Sequence, residues 1–246
     1  MELEKISIWF KANRLSVNGS KTKAMMFHTP QKRVQDISIK LDMVEIEFVK
    51  EFNYLGIIFD QNISWKPHLR MISNKISRAI GVMSKLKNQI PLHILKTLYD
   101  SLILPYFNYG ILVWATCASQ ILKLQKKAVR IITVANYNAH TEPIFKKLKV
   151  LKVGDLLIVQ ELKFLYKLEN KVLPEYFLRS NMLVRHADIH DYSTRGATHY
   201  RNPQSKHLLT KNSIRYRLPD ISNGCPSDIK NKIFSHSYEG YSNYIK

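Results

Sequence analysis

Acidic residues are scarce: 246 residues carry 19 Asp and Glu against 38 Lys and Arg, a formal net charge of +19. That imbalance points to a polyanionic partner, nucleic acid first and an acidic membrane surface second. Cysteine is nearly missing as well. Cys117 and Cys225 are too few and too far apart for a disulfide framework or a four-ligand zinc module, which fits a reducing compartment. Met1 to Trp9 alternates charged and apolar residues without a continuous hydrophobic run, so no signal peptide is read there. The chain is expected in the nucleus or cytoplasm and not secreted. A phosphate-binding loop is lacking too. Gly19-Ser20-Lys21-Thr22 suggests one, but the loop needs Gly-Lys-Ser/Thr, and Arg14 stands where it needs its earlier glycine.

What the chain does have is length enough for one compact unit with a looser tail. Its most informative stretch runs from Phe52 to Lys87. Phe52 to Phe59 is aromatic, β-branched or Leu apart from Asn53 and Gly56, which reads as a strand, and Asp60, Gln61 and Asn62 read as its turn. A helix follows, with Ser64 as its cap and Pro67 in its first turn. Trp65, Leu69, Ile72, Ile76, Ile80 and Met83 recur at spacings of three and four and form its apolar face. Lys66, Arg70, Arg78 and Lys85 project from the opposite side, a solvated face or a surface for phosphates.

Before this stretch, residues 2–14 read as a short helix, Val17 to Lys23 as a turn, Ala24 to Phe27 as a strand, and residues 37–49 as a half-buried hairpin. After it the pattern is mostly helical. Ser101 to Leu122 holds no charged residue and has the length of a membrane span. Pro105, Asn108 and Gln120 interrupt it, however, and Lys96 and Asp100 lie within the same helical pattern just before it. A buried helix is the preferred reading.

From Ser119 to Ile132 a helix is expected to turn Ile121, Leu124, Ala128 and Ile131 inward, leaving Lys123, Lys126, Lys127 and Arg130 as a second basic surface. Thr141 is read as the cap of a short helix over Pro143 to Leu148, and Asp155 as the cap of a longer one through Leu168. Residues 185–217 mix Arg185, Arg195, Arg201, Lys206, Lys211, Arg215 and Arg217 with Tyr192, Tyr200 and Tyr216. This is the composition of loops that hold phosphate and stack on bases, or of a poorly ordered tail. The fold class expected is α+β: short N-terminal strands, then a mostly helical region, then a basic, loop-rich C-terminal region.

An ordered series of short motifs carries a resemblance. It begins with Trp9-Phe10-x-x-Asn13-x-Leu15-x-x-Asn18-x-x-Lys21-Thr22 and continues with Tyr54-Leu55-Gly56, Asp60, Trp65, His68 and Lys75-Ile76. Leu98-Tyr99-x-Ser101-Leu102, Pro105, Tyr109-Gly110, Val113-Trp114, Leu124-Gln125-Lys126 and Arg130 complete it. The series resembles the C-terminal part of the reverse transcriptases of non-LTR (LINE-type, jockey-like) retrotransposons, over most of residues 2–178. A weaker echo continues in Tyr192-Ser-Thr-Arg195 and Ser213-Ile-x-Tyr216, but Ser222-Asn223 stands where Trp-Asn is usual.

The resemblance implies an RNA-directed DNA polymerase in which residues 1–62 end the palm with a primer-grip hairpin, 63–183 form a helical thumb and connection region, and 184–246 are a basic C-terminal region. Lys21 matches a lysine near the triphosphate, where a cation stabilises or protonates the leaving group. Phe52, Tyr54, Leu55 and Gly56 match the primer grip, and the helices after it hold the template–primer of RNA and DNA without reading sequence. The full-length enzyme uses Mg²⁺ held by aspartates. No Asp-Asp pair occurs in this chain, so no metal site and no cofactor are expected in it. Alone it should bind template–primer and catalyse nothing.

Other catalytic readings are weaker. His186-x-Asp188-x-His190 lacks a third ligand, Cys117 sits in an apolar run, and His68 and His140 read as packing or capping residues. Glu2 to Phe10 reads as a helix already under way. The upstream polymerase portion is expected in the preceding DNA, with an aromatic-Ala-Asp-Asp motif within about thirty codons. The alternative is a free-standing helical nucleic-acid-binding protein without catalytic ancestry, and the third reading is a small membrane protein using Ser101 to Leu122.

Overall fold

The computed structural model of the chain describes residues 2–32, 37–41, 44–117, 119–189 and 196–226. The chain divides into two compact units, Met1–Met71 and Ile72–Lys246.

The first unit opens with helix α1, Glu2–Ala12. Asn18 then closes a turn: its backbone carbonyl accepts from Thr22 N and Thr22 Oγ1, and its side-chain oxygen accepts from Lys21 N and Ser20 Oγ. Strands β1 (Lys23–Ala24), β2 (Ile39–Leu41) and β3 (Val44–Phe48) follow, in the order β1-β3-β2. The pair β2–β3 is the antiparallel hairpin that the alternation predicts, with Leu41 and Ile46 turned into the core. β1 is only two residues long and pairs parallel to β3. Gly19 lies so close to that sheet that a Cβ there would meet Val44 Cγ1 at 2.6 Å.

Phe52 to Phe59 is not one strand but two. β4 (Glu51–Tyr54) and β5 (Ile57–Asp60) pair antiparallel with Tyr54 opposite Ile57, so Leu55 and Gly56 alone make the turn. Both have positive φ, 49° and 81°. This is the backbone of a two-residue hairpin turn whose twist matches its strands, and it explains a glycine inside a strand-like run. Periodicity missed the break because Phe52, Tyr54, Ile57, Ile58 and Phe59 on either side of it are good strand formers.

Helix α2, Lys66–Leu86, runs from the first unit into the second. Its apolar face is the one read from the sequence: Leu69, Ile72, Ile76, Ile80 and Met83 are all buried.

In the second unit the uncharged run is not one helix. It is cut into the end of α3 (Leu92–Leu102), α4 (Leu104–Asn108) and α5 (Ile111–Trp114), with a 3₁₀ turn over Ala115–Cys117. Pro105 sits in the first turn of α4, and Gly110 with φ of 63° starts α5. The pieces still bury Tyr99, Ile103, Phe107, Ile111 and Trp114 at near-fourfold spacing, completely or almost so. Among the described residues no helix is long and apolar enough to cross a membrane.

Helix α6, Ser119–Ile132, is rotated relative to the expected phase: Ile121, Gln125, Ala128, Val129 and Ile132 are buried, while Leu124 and Ile131 are only half-buried. Gln125 is the cause. Its Nε2 donates to Tyr99 Oη and to the Leu151 carbonyl, and its Oε1 accepts from Val153 N at 2.9 Å. One amide thereby joins α3, α6 and the loop that leads into the next long helix, and burial raises the Tyr99 phenol well above its usual value. Replacing Gln125 by Leu strands a buried N–H and a buried carbonyl, and is expected to cost about 2–4 kcal/mol in urea unfolding. Tyr99→Phe removes one partner only and should cost about 1 kcal/mol.

Helices α7 (Glu142–Leu148) and α8 (Val153–Glu169) follow. Thr141 occupies the cap position of α7 without a side-chain capping bond. Asp155 acts from inside the first turn of α8, where its carboxylate accepts from Lys152 N. Beyond α9 (Glu175–Arg179) and α10 (Leu208–Lys211), helix α11 (Ile214–Gly224) packs on α8: Leu218 is fully buried in a cluster with Leu162 and Leu165. Beside that cluster Glu161 and Arg217 form an ion pair.

Candidate nucleic-acid interface

In the first unit the β4–β5 hairpin presents its turn to solvent, with Leu55 73% and Tyr54 59% exposed and Phe52 also exposed. The strands are held from behind. Phe59 packs edge-on between Tyr54 and the buried Trp65, with centroids 6.4 and 5.3 Å apart. His68 is buried, and its Nδ1 accepts from Ile58 N at 3.3 Å. Burial lowers its pKa, so the ring is neutral at pH 7 and is a packing residue, as its place in the sequence implied. Alongside the hairpin lies a cleft of about 210 Å³ lined by Met25, Phe27, Val49, Phe52, Tyr54 and Phe59, with Lys23 and Ala24 at its edge.

Asp60 decides how this hairpin joins α2. Its carboxylate is 6% exposed and accepts from Asn62 N (3.1 Å), Ser64 N (2.9 Å) and Trp65 N (2.9 Å). Ser64 Oγ, the expected cap, only accepts from Lys66 N at 3.4 Å. The loop needs the anchor because Ile63 and Trp65 both have positive φ, 50° and 62°, a conformation unfavourable for bulky side chains. Asp60 is therefore not a residue of the turn, as the sequence suggested, but the last residue of β5, opposite Glu51, and its carboxylate caps the loop that follows.

Asp60's bonds also bear on Mg²⁺. Both of its oxygens already accept backbone N–H groups, and among the described residues no group of three or more His, Cys, Asp or Glu could hold a metal ion. His186 and Asp188 lie in a 3₁₀ turn where Asp188 accepts from Arg185 N, and His190 lies outside the described residues. The Tyr192-to-Arg195 echo and the Cys117 side chain are outside them too.

Lys21 is exposed on the turn built by Asn18, which gives a physical reason for the Asn-x-x-Lys-Thr spacing: the asparagine satisfies the amides that the turn would leave bare. Lys66 and Arg70 are exposed in the first unit, and Arg78 and Lys85 in the second. In the second unit Lys123 and Lys127 are exposed and Lys126 half-buried. Arg130 differs from these, since its Nε donates to the Ala139 carbonyl at 2.9 Å and ties the end of α6 to the loop after it. Lys75, one of the residues that carry the resemblance, lies over the Tyr106 ring at 5.3 Å.

No protein-family profile matches the chain, and no solved structure matches it. Three curated proteins do. RNA-directed DNA polymerase from mobile element jockey of Drosophila melanogaster is 25% identical over 162 residues, which is 63% of this chain and 18% of that protein. Its counterpart from Drosophila funebris is 25% identical over 160 residues, 62% of this chain and 17% of that protein. Probable RNA-directed DNA polymerase from transposon BS of Drosophila melanogaster is 27% identical over 142 residues, 55% of this chain and 16% of that protein. The chain thus spans less than a fifth of the length of the curated relatives it matches. Over more than half of its own length it is similar to a part of the RNA-directed DNA polymerases of non-LTR retrotransposons.

Proposed function

We propose that this chain is the template–primer-binding C-terminal portion of a retrotransposon reverse transcriptase, with residues 1–62 ending the palm, 63–183 forming the thumb and connection region, and 184–246 trailing as a basic region. The observation that carries the reading is the likeness to three such polymerases, joined to a net charge of +19. Lys66, Arg70, Arg78 and Lys85 hold phosphates of the RNA–DNA duplex as point charges, and the Leu55–Gly56 turn lets backbone approach the primer strand. Lys21 stands near the triphosphate of the incoming nucleotide. The aspartates and Mg²⁺ that carry out the chemistry belong to the rest of the full-length enzyme.

Binding to an RNA–DNA hybrid, measured by fluorescence anisotropy against salt, tests this reading. With about five phosphates contacted, log affinity should fall against log salt with a slope of about −4. Arg70→Ala with Arg78→Ala should weaken every sequence alike and reduce that slope by about 2. Salt-insensitive affinity overturns the reading. In the same assay, with Mg²⁺ and nucleotides added, the chain should extend no primer above a control without protein.

A further inference from the structure

A groove of about 680 Å³ lies within the second unit along α7 and α8. It exists because α7 ends at Leu148 and Lys149 adopts a left-handed conformation, φ 52° and ψ 44°, turning the chain back into α8. On α8, Leu156, Val159, Gln160 and Lys163 follow at spacings of three, one and three, so one helix face opens on the groove. Leu156, Val159 and Phe145 are buried in its apolar floor, and Asn108 and Gln160 bring amides to its wall.

The charge in the groove is unbalanced. Four lysines line it (Lys146, Lys149, Lys152 and Lys163) against Glu142 and Asp155. Glu142 is engaged by Lys152 at 2.6 Å, a hydrogen bond that lowers the Glu142 pKa and raises that of Lys152. Asp155 accepts from the Lys152 backbone. Lys146, Lys149 and Lys163 form no salt bridge among the described residues, although the charge of Lys146 helps to lower the Glu142 pKa.

We propose that this groove binds a single-stranded segment of nucleic acid, its phosphates on Lys146, Lys149 and Lys163 and a base over the apolar floor. Lysine recognises phosphate as a point charge. The apolar floor beside the lysines, which an acidic side chain would leave uncovered, favours a phosphate strand carrying bases over an acidic peptide. An apolar floor beside cations and amides suits an unstacked base, which a duplex keeps inside its stack. The site is separate from the cationic face of α2 and does not depend on it.

The test uses the whole chain, labelled oligouridylate and an RNA–DNA hybrid. The variant combines Lys146→Ala, Lys149→Asn and Lys163→Ala, asparagine being chosen because it tolerates the left-handed backbone. Its affinity for oligouridylate should fall about tenfold and its salt slope should flatten by about 2, while hybrid affinity falls less than about threefold. Arginine at the same three positions should restore single-strand binding, and unchanged circular dichroism confirms folding. Equal losses for both nucleic acids, no loss for either, or polyglutamate competing as well as oligouridylate at equal charge each overturns the proposal. If Arg70→Ala with Arg78→Ala weakens the hybrid while the groove variant binds oligouridylate normally, the groove proposal falls and the proposed function stands.

Discussion

Replacing Asp60 by alanine is expected to loosen the hairpin and the start of α2 by about 3–4 kcal/mol, because one buried and two part-buried backbone N–H groups lose a charged acceptor at once. Asn62, Ser64 and Trp65 donate those bonds, and the carboxylate is 6% exposed, so water cannot readily replace it. The loop they belong to holds Ile63 and Trp65 at positive φ, which costs energy that the bonds offset. Asp60→Asn keeps one acceptor oxygen without the charge and should lose about half as much. Hydrogen exchange of peptides covering residues 51–71 reads the effect: exchange about 150- to 700-fold faster for Asp60→Ala, since each 1.4 kcal/mol is a factor of ten. Unchanged exchange would mean that the carboxylate does not anchor the loop.

Much of the architecture was legible because burial leaves a period in the sequence. The apolar face of α2 and the β2–β3 pairing follow from spacing alone, and the buried residues of α2 are the predicted ones, while in the hairpin Leu41 and Ile46 are buried but Ile37, Val44 and Phe48 are exposed. The Leu55–Gly56 turn was hidden because a two-residue hairpin removes almost nothing from an apolar run; only the glycine marks it. The phase of α6 was misread because Gln125 looks like a surface residue, yet it stands four residues from both Ile121 and Val129 and completes their buried stripe. Its partners, Tyr99, Leu151 and Val153, lie 26 or 28 residues away and carry no local signal.

The candidate interface was legible in a different sense. Charge and helical spacing placed Lys66, Arg70, Arg78 and Lys85 on one side of α2, and all four are exposed. Arg130 shows the limit of that reasoning, since a cation in a basic run also serves as a donor to a loop carbonyl. The groove along α7 and α8 has no sequence signature: Lys146, Lys149 and Lys163 are brought together by the turn at Lys149 and the pitch of α8.

The Glu161–Arg217 pair carries the other large expected effect, and its sign depends on pH. Glu161 is 2% exposed, and burial raises its pKa although Arg217 lies against it; the same burial lowers the pKa of Arg217. Arg217 also donates from Nη2 to the Leu112 carbonyl, so it joins α11 to both α8 and α5. Arg217→Met leaves a buried carboxylate without its counter-charge and is expected to cost about 3–5 kcal/mol at pH 8. Between the usual carboxylate pKa and the raised one, the native state binds a proton that the unfolded chain does not, so stability falls as pH rises through that window. Removing Arg217 raises the Glu161 pKa further and carries the window to higher pH. The variant should therefore be closer to wild type at pH 5, nearer the acid side of that window, than at pH 8. Glu161→Leu combined with Arg217→Met removes both charges and should recover most of the loss at either pH. Urea unfolding followed by circular dichroism at the two pH values distinguishes the cases. A loss independent of pH, or a double variant no more stable than Arg217→Met, would show that the pair does not hold α11 to α8 through its charges.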